Sequence, residues 1–296
     1  MLKLTQIWGA GRVDFIQKYD ALLERLAEYE SVLVAYSGGI DSTLLAVAAH
    51  VVHGHRCLAV LASSDTYPAH EVEYASALAS DLGLRLLQVE THELVDPKFR
   101  RNDIDRCYYC KSELFSLLRT VADHKGLRHV VDGSNLDDLA DFRPGTRAAK
   151  EYGVLSPMAD VGLTKDDIRN IASSLGLPNW DKPSMACLAS RFPYGEEITE
   201  GKLNRVATAE AAIRALGFRQ LRVRAHSDLA RLEVGPDEFE RAWETRAEIA
   251  SALKSAGFTF AAVDLEGYRS GSLNEGLDSE QREILLQLPG GHSAAI

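Results

Sequence analysis

The sequence predicts an α/β fold, a parallel sheet with helices on both faces, followed by a smaller C-terminal α+β unit. Two observations carry this. Short apolar runs alternate with helix-length amphipathic segments in the first half, and beyond about residue 199 the order becomes helix, strand, strand, helix, strand. Strands separated by helix-length segments pair in parallel through right-handed crossovers, which puts helices on both faces of the sheet.

The elements follow in order. "SVLVAY" is the first strand, with a helix over 42–53; "CLAVLAS" is the second, with 69–82; "LRLLQVE" is the third, with 108–124; "HVVDGS" is the fourth. Thr164 and Asp167 have capping-box spacing and open the helix "KDDIRNIASSLGL", which runs toward Pro178. Residues 179–198, "NWDKPSMACLASRFPYGEEI", show no period and carry Pro183, Pro193 and Cys187. They are expected to form an ordered loop joining a domain over 1–178 to one over 199–296. The second domain is expected to hold a helix at 199–216, strands "QLRVRAH" and "LARLEV", a helix near 236–254 and a strand "TFAAVDL".

Composition narrows the function. With 33 basic and 43 acidic residues among 296, the net charge of −10 disfavours a nucleic-acid partner. No apolar stretch has the length of a membrane span, and "MLKLTQIWGAGRVDF" lacks the pattern of a signal peptide, so a cytoplasmic protein is expected. Four cysteines are too few for a disulfide scaffold in a chain of 296 residues.

The turn after the first strand, "SGGIDS", points to a nucleotide. Gly38 and Gly39 permit positive φ and close approach of a ligand, and the first helical turn leaves N–H groups unpaired. Ser37, Ser42 and Thr43 add hydroxyl donors, so the turn suits phosphate. The same residues would also serve an ordinary capped helix start. Asp41 decides between the two: a carboxylate in a phosphate turn is repulsive unless a divalent cation bridges it, which implies Mg-nucleotide. No GxxxxGK[ST] is present. "SGGIDS" resembles the PP-loop of ATP pyrophosphatases, which adenylate a carboxyl or carbonyl oxygen and release pyrophosphate. In keeping with that, "VDGSNLDD" offers Asp132, Asn135 and Asp138 at the carboxyl end of the fourth strand, where open α/β sheets bind ligands.

The cysteines divide into two kinds. Cys57 lies in an apolar run and reads as core. Cys107 and Cys110 form a CxxC at a helix start, and Cys187 sits in the aperiodic loop. A CxxC can be a redox pair, half a zinc site or two iron–sulfur ligands. No His stands at ligand spacing from Cys187, and three thiolates suit a [4Fe–4S] cluster with one open iron.

"CYYCK", "DGSNLDDLADFRPGTRAAKE", "NWDKPSMACLASRFPYG", "LRVRAHSDLARLE" and "DLEGYRSGSLN" together resemble the LarE family over about residues 14–285. The resemblance implies an ATP-dependent sulfur transferase that adenylates the carboxylates of pyridinium-3,5-biscarboxylic acid mononucleotide and converts them to thiocarboxylates for the nickel-pincer nucleotide of lactate racemase. One kind of member sacrifices a cysteine at the position of Ala186; the other holds a [4Fe–4S] cluster on three cysteines matching Cys107, Cys110 and Cys187. The residues here match the second kind, which draws sulfide or another sulfur donor from outside. Catalytic roles are expected for Cys187, Asp41, Ser190 and Arg191. Ser37, Gly38, Gly39, Asp41, Ser42, Asp132 and Asn135 are expected to bind ATP, Asp41 through Mg2+. Substrate contacts are expected from Ser190, Arg191, Glu210, Arg222 and Arg224. Arg222, Arg224 and His226 alternate with Leu221, Val223 and Ala225, so the guanidiniums share one strand face, suited to a phosphate or carboxylate. The resemblance also implies a homo-oligomer, a hexameric ring.

Three other functions are weighed. A cluster-dependent PP-loop tRNA thiolase would bring a Lys/Arg-rich tract, which is absent. A nitrogen-transferring synthetase gives three non-core cysteines no role. A non-catalytic ATP-binding regulatory module has no need of Asp41.

Overall fold

A computed structural model describes residues 13–140, 144–183, 186–269 and 271–277. The stretch 1–12 read for a signal peptide, Ser184 and Met185 of the joining loop, and the chain from 278 onward lie outside the described residues. No helix among the described residues is long and apolar enough to cross a membrane.

The four predicted strands form one parallel sheet. These are β1 (Val32–Tyr36), β2 (Cys57–Ser63), β3 (Leu86–Glu90) and β4 (His129–Val131), in the order β3-β2-β1-β4. Val32 pairs with Cys57 on one side and His129 on the other. Alternate side chains divide between two cores, as the pleat requires. Val32, Val34, Ala59 and Leu61 pack with Leu22, Leu44, Leu45 and Ile171 on one face. Leu33, Leu58, Val60 and Val130 pack with Phe115, Leu118 and Ala148 on the other. The helices covering the sheet include Ile40–His53, Ala69–Asp81, Arg106–Lys125 and Lys165–Ser174. The last carries the expected capping box: Thr164 N–H donates to Asp167 Oδ2 at 3.0 Å and Asp167 N–H to Thr164 Oγ1 at 3.2 Å. A helix not anticipated from the sequence, Val13–Ala27, precedes β1 and buries Ile16, Tyr19, Leu22 and Leu26 at helical spacing.

The second sheet joins β5 (Leu221–His226), β6 (Leu229–Val234) and β7 (Phe260–Val263). β5 and β6 are antiparallel and β6 and β7 parallel. Leu221, Val223 and Ala225 face a core built with Leu203, Val206 and Ile213 of helix Glu200–Ala215. Phe99, from the first half of the chain, and Leu188 and Phe192, from the joining loop, enter the same core. The loop is therefore held by burial at its apolar positions, with a short 3-10 turn at Leu188–Arg191 among its described residues. One expected element is corrected. The helix near 236–254 is two helices, Phe239–Glu244 and Arg246–Ser255, because Thr245 leaves helical geometry and turns its hydroxyl onto the Arg241 carbonyl at 2.9 Å.

Candidate functional site

The carboxyl ends of β1, β2 and β4 open into two adjoining cavities of about 550 and 710 Å3. Both have Ser37, Asp41, Tyr67, Cys107 and Cys187 on their walls. The smaller runs from the apolar strand ends, Ala35, Val60 and Leu61, to Phe115; the larger reaches the second sheet at Arg222 and Arg224.

The turn after β1 is shaped as its glycines require. Gly38 has φ +71, and a Cβ there would stand 2.5 Å from Ala75 Cβ, so both conformation and the close approach of helix Ala69–Asp81 demand glycine. Gly133 comes almost as near on the other side: its Cβ would lie 3.0 Å from Ser42 N. The hydroxyls fold the turn on itself, Ser37 N–H donating to Ser42 Oγ at 3.1 Å and Ser42 Oγ–H to Gly39 O at 3.1 Å. Gly39 caps helix Ile40–His53 without a side-chain hydrogen bond, leaving first-turn donors for a ligand. Asn179, at the start of the joining loop, is buried and donates through Nδ2 to Gly38 O at 3.1 Å and Thr43 Oγ1 at 3.0 Å.

Asp41 is bound from two sides. Its Oδ1 accepts from Asn135 Nδ2 at 3.3 Å and its Oδ2 pairs with Lys165 Nζ. Asp132 accepts from Ser134 Oγ at 3.0 Å and Ser156 Oγ at 2.7 Å, and Asn135 Oδ1 accepts from the N–H groups of Asp137 and Asp138. Nothing local to Lys165 marked it as a partner of Asp41 beyond its place at the start of a capped helix. Its ammonium lies where a cation beside Asp41 would lie, and a carboxylate oxygen of this kind suits a hard divalent ion.

Cys107 and Cys110 occupy the first turn and a half of helix Arg106–Lys125, and Cys187 leads into the 3-10 turn; all three are free and line the larger cavity. Cys57 is buried in β2, where burial pushes its thiol up to about 12. Among the described residues no group of three His, Cys, Asp or Glu side chains converges as ligands of a single ion would. The three thiols stand on the wall of the larger cavity. Three groups missed in the sequence stand around them. Arg106, beside the CxxC, is buried and directs Nη2 at Cys107 Sγ, 3.9 Å away. Glu93, also buried, accepts from Cys110 Sγ at 3.7 Å. Burial first, and Glu93 next, push the Cys110 thiol well above its ordinary pKa. Burial likewise pushes the Tyr67 phenol well above its ordinary pKa.

The residues expected to touch substrate fall into two sets. Ser190, Arg222 and Arg224 line the larger cavity. Arg222 is buried with its guanidinium 5.2 Å from the Tyr268 ring centre, and burial, then Arg191, lower its pKa to about 10. Arg224 pairs with Glu233 through two bonds of 3.0 and 2.9 Å and donates to Ser190 O at 2.8 Å. Arg191 and Glu210 stand behind the loop, off the cavity wall. Arg191 Nη1 donates to the carbonyls of Ala186 at 2.9 Å and Cys187 at 3.1 Å and to Ser190 Oγ at 2.9 Å. His226 is exposed at the far end of β5.

Comparison with known proteins narrows this geometry. The NAD synthase family profile matches residues 11–106. The chain is 36% identical over 265 residues to the pyridinium-3,5-bisthiocarboxylic acid mononucleotide synthase of Lactiplantibacillus plantarum, covering 89% of this chain and 96% of that one. It is 44% identical over 259 residues to an uncharacterised protein of Synechocystis, covering 87% and 97%. A glutamine-hydrolysing GMP synthase of Chlamydia caviae is 27% identical over 62% of this chain and 38% of its own.

Proposed function

Since the chain belongs to the LarE family of PP-loop, ATP-using enzymes, we propose that it is an ATP-dependent sulfurtransferase of nickel-pincer nucleotide synthesis, acting on pyridinium-3,5-biscarboxylic acid mononucleotide. The observation that carries the proposal is that Asp41 of the phosphate turn and Cys187 lie on the walls of both cavities. A carboxylate activated in one is then within reach of sulfur in the other.

ATP binds with its base toward Phe115 and its phosphates on the turn, received by first-turn N–H groups and by Ser37 and Ser42, with Asp132 and Asn135 beside them. Asp41 would hold Mg2+, which would neutralise charge on the phosphates, and Lys165 would then be free to turn toward them. Arg222 receives the anionic groups of the pyridinium nucleotide from the larger cavity. A substrate carboxylate oxygen attacks the α-phosphorus, the bond to the β-phosphate oxygen breaks, and pyrophosphate leaves. Hydrosulfide then attacks the acyl carbon, the C–O bond to AMP breaks, AMP takes the electron pair, and the proton passes to solvent. The second carboxylate follows the same course. Cys107, Cys110 and Cys187 would hold a [4Fe–4S] cluster, which would supply the sulfur as sulfide. Arg191 and Glu210 position the Cys187 loop, and Ala186 leaves no sacrificial thiol beside Cys187. Hexamer formation is part of the proposal and is read by light scattering.

The test is anaerobic turnover with ATP, Mg2+, the biscarboxylate nucleotide and added sulfide. Product is expected to exceed one thiocarboxylate per chain, with every cysteine unchanged in mass. Product capped at one sulfur per chain, with dehydroalanine at Cys187, would overturn the cluster reading.

A further inference from the structure

The thiol trio has a buried cation beside it that neither adenylation nor nucleotide binding uses. Arg106 is 3% exposed and lines the larger cavity only. Its Nη1 donates to Asn102 Oδ1 and, at 2.9 Å, to Ala189 O; its Nη2 faces Cys107 Sγ at 3.9 Å. Its Nε–H is sealed from solvent with no acceptor among the described residues. A guanidinium does not lose its charge in a protein, and an unmatched charged donor in a dry site is costly. An anion lodged beside Cys107 would offset that charge. Lys111, a second cation lining this cavity, has its ammonium 5.5 Å from the Phe115 ring centre, and Arg222 has its guanidinium 5.2 Å from the Tyr268 ring centre. Arg106 is the buried cation in hydrogen-bond contact with a thiol of the trio.

We propose that Arg106 holds the donor sulfur, its guanidinium being the charge-assisted hydrogen-bond donor for a hydrosulfide anion lodged beside Cys107 on the cavity wall before transfer. This rests on the sulfur-transfer reading above. Three thiolates and a hydrosulfide together outweigh the positive charge of a cluster core, so a fixed cation at this point decides whether the extra sulfur stays. A small anion suits one buried donor set, whereas a nucleotide phosphate needs the roomier wall at Arg222.

The experiment measures iron and acid-labile sulfide per chain in anaerobically reconstituted, desalted protein titrated with sodium sulfide, for wild type, Arg106→Lys and Arg106→Met. All three are expected to carry equal iron. Wild type should retain sulfide beyond that of the cluster, and Arg106→Met should bind it about ten- to hundredfold more weakly, the range for a charge-assisted hydrogen bond. Arg106→Lys should fall between, keeping the charge and losing the fork. Unchanged sulfide affinity in the variants would overturn the proposal. Loss of iron from both would overturn it too, by making Arg106 a structural tie between its helix and Ala189. If Arg106→Met does not fold, Arg106→Lys decides by the same two criteria. Wild type that takes up no iron removes the cluster reading and this proposal with it, an outcome separable from any effect of the variants.

Discussion

Arg191 and Glu210 meet in a two-bond ion pair of 2.8 and 3.0 Å, with neither side chain exposed to solvent. The same guanidinium holds the carbonyls of Ala186 and Cys187, so the pair fixes the backbone from which Cys187 projects. Glu210→Gln should destabilise the fold by about 3–5 kcal/mol, because a buried guanidinium loses its counter-charge, and should lower iron retention. Denaturant unfolding and iron analysis check both.

The pH dependence follows from the same pair. Burial alone raises the Glu210 pKa, but Arg191, the Val223 N–H and Arg214 outweigh it and hold the carboxyl below its ordinary value. A depressed folded-state pKa contributes stability in full above the unfolded value of about 4.3, and that stability is lost as pH falls through the folded value. Wild type should therefore weaken in acid below about pH 4, while Glu210→Gln, already weak at neutral pH, should show a flatter profile. Unfolding measured across pH 3–8 would separate them.

Asp41→Asn should abolish Mg2+-dependent pyrophosphate release and leave the thermal midpoint nearly unchanged. The Asp41–Lys165 pair is partly exposed, at 25% and 29%, and such pairs contribute roughly 0–1 kcal/mol. Near-normal pyrophosphate release would remove Asp41 from the metal. Lys165→Met should bind Mn2+ more tightly without nucleotide, since the ammonium and the metal compete for one oxygen; paramagnetic titration reads this.

Arg222→Ala and Arg224→Ala should fail in different ways. Arg222 faces the cavity, so its loss should weaken the pyridinium nucleotide by about ten- to hundredfold and leave ATP affinity nearly unchanged. Arg224 offsets Glu233, which is fully buried, and its loss should cost about 3 kcal/mol of stability. Calorimetric titration of both ligands, beside unfolding curves, distinguishes the two; equal losses for ATP and substrate in Arg222→Ala would contradict separate sites.

Cys107→Ala, Cys110→Ala and Cys187→Ala should each lose the cluster, and Cys57→Ala should retain it, because Cys57 lies in the sheet core and away from both cavities. Absorbance and iron-to-sulfide ratio after anaerobic reconstitution are the readout. Zinc bound in place of iron by wild type would replace the cluster with a structural metal site.

The strands, the glycine turn and the capped helix at Lys165–Ser174 were legible because each depends on neighbours in sequence: apolar runs, two glycines, a Thr and an Asp three apart. Helix Val13–Ala27 carried the right period and no start signal marked it. Partners across the fold were not legible. That Lys165 reaches Asp41, that Glu233 and Ser272 hold Arg224, and that Arg191 turns from the cavity to Glu210 depend on segments far apart in the chain. Arg222 and Arg224 did share a strand face, but that face is enclosed by Tyr268 and Ser272 and not open to water. Arg106 had a local sign, a cation next to a CxxC.

The Asn179 amide, bonded to Gly38 and Thr43, roots the segment bearing Cys187 in the turn that receives ATP. If both sites fill as proposed, thermodynamic linkage makes any coupling through this root mutual: whatever factor ATP imposes on cluster retention, the cluster must impose on ATP affinity. A chain starved of iron would then meet ATP with an altered dissociation constant, and the nucleotide turn would act as a gauge of whether the sulfur machinery is loaded.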